Sequence, residues 1–504
     1  MELVTEEGIA KHMDAISKIG KDPDGGFTRA PWSDEESEAH EYFVRVAKEN
    51  GLQVIRDAAG NLYVKAPGNV SGVVQIGSHL DTVPNGGNFD GVAGIAAGME
   101  AILAAKDEPR RKDLELVIWR GEESSFFNMA YLGSRLALGA ARPNILERTN
   151  TCDGKSLEDA IRGQGFDVGD LRKMIALGGT FPGERFVTEH FELHIEQGNL
   201  LEKTGYDLGL VRSIRGPHRL KVQLQGDDSA AHAAQLITEL ERQAYQAAKA
   251  GNDLVQTFGV INAFGGCDGS PLASTAMNKV AGYAEAFAYG ARTDEIFQAD
   301  TRINTRFGVE VFQEQHPEGV YAKFHGRFDH SGATPMGLPY RRDANLAAAH
   351  WVAGMKELYP DMSFTINNTG EDTRFLADIR STELSFREAY VEEAIRIIQD
   401  FSSGNGIQAN VEIISQADPI EELSPRLRNI MEQGCNELDY MVLPMQSGAG
   451  HDVAIVTKQT HADTGLIFIP CREGISHSPL EHAEVSDIAK GANVLAYAIA
   501  ELAR

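Results

Sequence analysis

Apolar side chains recur on one helical face at Ala39, Tyr42, Phe43, Val46 and Ala47. Just ahead of them Ser33 and Glu36 form an S-x-x-E capping box, in which the hydroxyl accepts a backbone amide and the carboxylate reaches back to another. Gly51 stands where a C-terminal cap belongs. The period then changes. NLYVKAPG predicts a strand with a turn, and VVQIGS and LELVIW predict short buried strands. Between these two, a Gly/Ala-rich helix is predicted from Asp90-Gly91 to about Lys106. Helix and strand keep alternating up to a capped, Ala-rich helix at 486–504. The fold class predicted is α/β, a mixed sheet between helical layers.

The middle of the chain reads differently. Residues 213–383 carry strand-like alternation and two amphipathic helices, 235–249 and 343–358. A weak repeat runs through them. One copy has LQGDDSAAHA, the first helix, TFGVI, Asn278 and Arg292; the other has HGRFDHSGATP, the second helix, FTINN, Asn367 and Arg380. This predicts an inserted, smaller α+β domain at 213–383, enlarged and duplicated as tandem βαββ modules at 213–300 and 318–383. The main domain is then 1–212 with 384–504.

Composition narrows the function classes. The chain has 504 residues, 47 basic and 73 acidic, for a net charge of −26. Such a surface repels phosphate backbones and anionic lipid heads, so neither nucleic acid nor a membrane is an expected partner. The four cysteines form no CxxC pair, which leaves no thiolate zinc site. No run of about 18 apolar residues occurs, and a cytoplasmic protein is expected.

Five segments place acids or histidines directly after an apolar strand, where open α/β sheets bind ligands. In GSHLDTVPNGGNFDG, His79 and Asp81 follow a strand and Asp90 lies eleven residues beyond His79. An imidazole is a good divalent-metal ligand, a carboxylate can bridge two ions, and Asp81 suits the orientation of the ring. In WRGEESSFF, adjacent Glu122 and Glu123 point opposite ways, so one can bind metal while the other serves as a base. HFELHIEQG places Glu192, His194 and Glu196 on one face, SGAGHDVA carries His451 and Asp452, and GISHSP delivers His477. The sum is three histidines, one aspartate and one glutamate, with Glu122 left as a base. Nitrogen and oxygen ligands fit two divalent ions of Zn, Mn, Co or Ni.

At these residues the chain resembles the hydantoinase/carbamoylase amidases of the co-catalytic dinuclear metallopeptidase clan, which include N-carbamoyl-L-amino acid hydrolases, allantoate amidohydrolases and β-ureidopropionases. GGFTRAPWS, GSHLDTVPNGGNFDGVAGI, HIEQGNLLE, SGAGHD and GISHSP carry the resemblance in order. It implies His79, Asp90, Glu123, His194 and His477 as metal ligands, with Asp90 bridging. Glu122 is implied as the general base and Asp81 as the support of the first histidine, with Gln197 and His451 at substrate contacts. In the inserted lid or dimerisation-type domain, His330 is implied to polarise the scissile carbonyl, and Asn367 with Arg380 to grip a substrate carboxylate. The chain departs from the family pattern in that the loop Met336 to Arg341 is two residues longer, the proline-flanked Asn motif at Asn367 is reduced to INNTG, and, most of all, about 90 residues are extra.

The expected function is a metal-dependent amidohydrolase cleaving a non-peptide C–N bond in a small carboxylate-bearing substrate. The best match is an N-carbamoyl-L-amino acid, giving the amino acid, CO2 and ammonia. An amidase, aminoacylase or dipeptidase on the same scaffold, and a non-catalytic binding protein, are the alternatives. The family's lid residues act across a dimer interface. The duplicated module predicts either a monomer mimicking a dimer or a homodimer.

Overall fold

The computed structural model describes residues 3–23, 25–66, 72–179, 186–226, 228–261, 279–280, 283–289, 309–316, 319–326, 329–330, 343–358, 363–367 and 372–504. The chain divides into two units, Met1–Ile214 with Ile420–Arg504, and Arg215–Pro419. No described helix is long and apolar enough to cross a membrane.

The first unit is built on an eight-stranded sheet in the order Gln53–Arg56, Leu62–Ala66, Asp113–Trp119, Val73–His79, Val187–Ile195, Asp463–Ile469, Leu208–Ile214, Val442–Ser447. Asp113–Trp119, Val73–His79, Val187–Ile195 and Asp463–Ile469 run parallel. Leu62–Ala66 and Gln53–Arg56 pair antiparallel at one edge, so the sheet is mixed, as expected. Alternation along one strand feeds two cores. Ile467 and Ile469 join helices Glu6–Ile16, Val92–Ala105 and Val485–Ala503, whereas Leu466 and Phe468 pack with Met445 and with Val453 of helix Asp452–Gln459. Burial on both faces is why these strands are rich in apolar residues, and the polar side chains they carry, such as Gln75 with Glu115, are paired inside.

The capping box is half formed. Ser33 Oγ accepts the Glu36 amide at 3.1 Å and opens helix Asp34–Glu49. The Glu36 carboxylate turns elsewhere, accepting from Trp32 N (2.7 Å), Gly121 N (3.1 Å) and Arg120 Nη1 (2.6 Å). It pins the segment that leads into Glu122. Removing one partner of such a buried ion pair typically costs about 3–5 kcal/mol.

The second unit begins and ends later than the sequence implied. Helix Leu384–Gly404 and strand Gln408–Gln416, expected in the main domain, belong to this unit. One antiparallel sheet has the order Gln408–Gln416, Gly216–Gln225, Asp372–Ser381, Val255–Ile261. A second has the order Glu310–His316, Gly319–His325, Tyr283–Tyr289, Ser363–Ile366. Helices Ser229–Lys249 and Ala344–Leu358 pack together within one apolar cluster that draws on both sheets.

The repeat is present in the topology, but the copies are not separable tandem modules. Tyr283–Tyr289, which follows the first β-α-β, inserts between Gly319–His325 and Ser363–Ile366 of the second sheet. Asp372–Ser381, which follows the second β-α-β, inserts between Gly216–Gln225 and Val255–Ile261 of the first. The two copies exchange their last strands, and both resulting sheets feed one apolar cluster. The first-copy residues Asn278 and Arg292 and the loop from Met336 to Arg341 lie outside the described residues.

Candidate active site

Parallel pairing brings the carboxyl ends of three strands to one edge, so Val73–His79, Asp113–Trp119 and Val187–Ile195 deliver His79, the Gly121–Glu123 turn and His194 to one place. The loop after His79 returns through Asp90 to Gly91, whose φ is +68°. A Cβ on Gly91 would lie 2.6 Å from the His79 ring, so only glycine lets the helix Val92–Ala105 start this close.

Asp90 is the centre of the arrangement. Its Oδ1 lies 2.9 Å from His194 Nε2 and 3.4 Å from His79 Nε2, and its Oδ2 lies 3.3 Å from His477 Nε2. Glu123 Oε1 is 3.1 Å from the same His477 nitrogen. Two candidate metal-ligand groups result, His79/Asp90/His194 and Asp90/Glu123/His477, all buried and sharing Asp90. Glu122 stands beside them, its Oε2 4.0 Å from His79 Nε2.

The donor set fits divalent cations. His79 Nδ1 donates to the Asp81 carbonyl at 3.0 Å and His194 Nδ1 to the Ile195 carbonyl at 2.9 Å. A carbonyl only accepts, so in the neutral rings the lone pair sits on Nε2, facing Asp90. His79 Nε2 is buried and makes no hydrogen bond. Burial opposes charging these rings, yet Glu122, Asp81 and Asp90 hold His79 well above its usual pKa, and Glu123 and Asp90 push His477 up to about 9. Burial, together with Glu123, Asp452 and Asp81, pushes the Glu122 carboxyl well up. The cluster carries an excess of buried negative charge that calls for cations.

The remaining sequence candidates divide. The Asp81 carboxylate comes within 3.3 Å of His79 Nδ1, but its main partners are the backbone amides of Glu122 and Glu123, each at 3.0 Å. Gln197 Nε2 donates to Asp90 Oδ2 at 2.6 Å. The His451 ring meets His194 edge-on at 4.5 Å and its Nε2 bonds Ser447 Oγ at 3.0 Å. In the second unit, Arg380 donates to both oxygens of Asp378. Asn367 Nδ2 donates to Ile261 O at 3.0 Å and to Asn345 Oδ1 at 3.2 Å.

Arg380 pairs with Val255 at the other end of the strand Val255–Ile261. Six residues of strand span roughly 20 Å, so these positions do not bring Asn367 and Arg380 onto one carboxylate within the unit. His330 pairs with Lys279 in a short antiparallel strand, and its side chain lies outside the described residues.

Sequence reasoning missed the residues that hold this site from behind. Glu481 is buried and accepts from Phe89 N, Asp90 N, His477 N and Ser476 Oγ. Arg29, also buried, donates to Leu80 O and Asn88 Oδ1. Glu192, placed by the sequence on the face of His194, has a supporting role instead, accepting from Ser78 Oγ and Val453 N. The one available signal was placement: each lies in or near a motif already singled out, at a position with no outward role.

Fold and geometry together define a class: an α/β domain with an inserted domain and two candidate metal-ligand groups sharing one aspartate. Over residues 75–501 the chain matches the family described as Peptidase family M20/M25/M40. It belongs to that family and is a hydrolase of carbon–nitrogen bonds. It is 28% identical over 498 residues to the N-carbamoyl-L-amino-acid amidohydrolase of Pseudomonas sp. (strain NS671), covering 98% of this chain and 97% of that one. It is 28% identical to the allantoate amidohydrolase of Escherichia coli (strain K12), covering 99% and 98%. Among solved structures, a hydantoinase/carbamoylase family amidase from Burkholderia vietnamiensis matches with a TM-score of 0.69 at 22% identity, over 99% of this chain and 98% of that one.

Proposed function

We propose that this chain is a metal-dependent amidohydrolase that cleaves a non-peptide C–N bond in a small carboxylate-bearing substrate, with an N-carbamoyl-L-amino acid as that substrate. The observation that carries the reading is Asp90, which offers one oxygen to each of two histidine-containing groups beside Glu122. Similarity to the carbamoyl-amino-acid and allantoate amidohydrolases supports the choice of bond.

The ligands are His79, Asp90, Glu123, His194 and His477, and Zn, Mn, Co or Ni all suit them. Bound there, divalent ions supply Lewis-acid polarisation of a water and of the substrate carbonyl. Glu122 takes the proton from water and returns it to the leaving nitrogen. Asp81 sets the Glu122–Glu123 turn, Gln197 and His451 line the substrate, and His330 polarises the scissile carbonyl. Arg380, held in plane by Asp378, receives the carboxylate.

The inserted unit completes the reading. With two β-α-β copies exchanging strands inside one chain, it takes the place of a partner's lid, and the protein is a monomer mimicking a dimer. Light scattering that gives twice the chain mass would replace this with a homodimer.

Amine release is the test, across N-carbamoyl, N-acetyl and N-formyl amino acids and dipeptides with Mn²⁺ or Zn²⁺ added. Turnover of carbamoyl substrates, lost in Glu122→Ala, is expected. The match to a peptidase family favours one second reading, an aminoacylase or dipeptidase, and turnover of only those amides would establish it.

A further inference from the structure

Glu481 belongs to no expected ligand or substrate contact, yet it is buried and every one of its hydrogen bonds reaches the candidate metal groups or their flanking backbone. Oε1 accepts Phe89 N at 2.9 Å and Asp90 N at 3.0 Å. Oε2 accepts His477 N at 3.1 Å and Ser476 Oγ at 3.2 Å. Asp90 and His477 lie far apart in the chain, on two irregular loops, and are the two residues whose side chains meet at 3.3 Å in the Glu123 group.

Loops have no ladder of their own to fix them. One carboxylate that accepts backbone amides from both loops supplies the missing register. Local sequence makes room for it: a Cβ on Gly87 would fall 2.1 Å from Glu481 Oε1, so the chain approaches as closely as glycine allows. Ser476 Oγ stands between the two carboxylates, 3.2 Å from Glu481 Oε2 and 3.1 Å from Asp90 Oδ2, and its single proton bonds one of them at a time.

We infer that Glu481 is the positioning residue that holds Asp90 and His477 in register for the Asp90/Glu123/His477 group, and so sets the affinity of the second ion. The inference rests on the dinuclear reading above. A carboxylate accepts at both oxygens, whereas an amide presents N–H groups at one of them. Glu481→Gln keeps the volume but sets donor against donor on one loop.

The test is Co²⁺ binding to the full chain, followed by titration and by visible absorption, with thermal unfolding measured in parallel. Wild type is expected to bind two ions. In Glu481→Gln the second ion is expected to bind at least about tenfold more weakly, with an altered Co²⁺ spectrum, while the first, which keeps His79 and His194, is weakened less. Gly87→Ala, which displaces the same carboxylate from the outside, is expected to do the same, and it decides the matter should Glu481→Gln fail to fold.

Unchanged affinities and spectrum, even with a lowered melting temperature, would overturn the clamp and leave the dinuclear reading standing. A wild type that binds no ion would overturn both.

Discussion

Both carboxylate oxygens of Asp81 are taken by the turn that carries the paired acids: Oδ1 accepts the Glu122 amide and Oδ2 the Glu123 amide, each at 3.0 Å. One side chain two residues after the first histidine thereby fixes the proposed base and a proposed ligand together, while its own carbonyl orients the His79 ring. Asp81→Asn would present N–H groups to one of these amides. Expected is a fall in kcat of about 10–100-fold with the fold retained, because outer hydrogen bonds of this kind carry that weight. The check is steady-state kinetics at saturating metal alongside circular dichroism; unchanged kcat would remove Asp81 from the machinery.

Metal stoichiometry separates the ligands. Asp90 contributes to both groups, His194 to one and His477 to the other. Elemental analysis after equilibrium dialysis should find about two ions per wild-type chain. It should find about one in His194→Ala and in His477→Ala, and none retained in Asp90→Ala. Chelation should abolish turnover, and Zn²⁺ or Mn²⁺ should restore it. Loss of both ions from either histidine variant would show that the two groups do not fill independently.

Most of the first unit was legible in the sequence, because its strands are buried on both faces and its candidate ligands follow close on their ends. His79 closes the strand Val73–His79, His194 lies one residue before the end of Val187–Ile195, and the Glu122–Glu123 pair begins three residues past Trp119. The Ser33–Glu36 signature located a helix start but misled about the acid, since tertiary donors at Gly121 and Arg120 outbid the local amide. Glu481 was invisible for a similar reason. Its four donors form two adjacent pairs, Ser476–His477 close by and Phe89–Asp90 at 392 and 391 residues' distance, and no spacing rule reports such convergence.

In the inserted unit the repeat was readable, but the exchange of strands was not. Pairing partners in an antiparallel sheet are set by which faces must be buried, and Tyr283–Tyr289 and Asp372–Ser381 show the same alternation whichever sheet receives them. The expected joint grip of Asn367 and Arg380 failed for this reason: a spacing of 13 residues in sequence became opposite ends of one neighbouring strand.

Acid should destabilise the first unit through His190. Its ring is buried, Nδ1 bonds Gln75 Oε1 at 2.8 Å, and burial pushes its pKa down to about 3. Unfolded, the ring titrates near its ordinary 6.5. Between those values the unfolded chain binds a proton that the folded chain refuses, so the stability present above pH 6.5 is lost as pH falls. From pH 7.5 to 5.0 this one group removes about 2 kcal/mol. Urea unfolding at both pH values should show His190→Gln losing about 2 kcal/mol less than wild type over that interval. Parallel losses would mean that His190 is protonated in the folded state.

Arg380 makes the last prediction, because its partner is also its neighbour on the strand. Asp378 receives Nε and Nη2 of Arg380 and also lies 3.4 Å from Arg219 Nε, directly across the ladder. One acid thus holds a guanidinium that is to meet a carboxylate, and a second guanidinium balances the charge. Arg380→Lys keeps the charge but loses the planar fork. If the fork meets the substrate carboxylate, KM should rise by about 10–100-fold with kcat changed much less, since a charge-assisted hydrogen bond is worth about 1.5–3 kcal/mol.

Asp378→Asn should raise KM in the same direction by a smaller factor, because the fork survives but its orientation loosens. The decisive comparison is a substrate whose carboxylate is replaced by a primary amide. Wild type should discriminate strongly against it, and Arg380→Lys should discriminate much less. Equal discrimination by both proteins would place the carboxylate elsewhere.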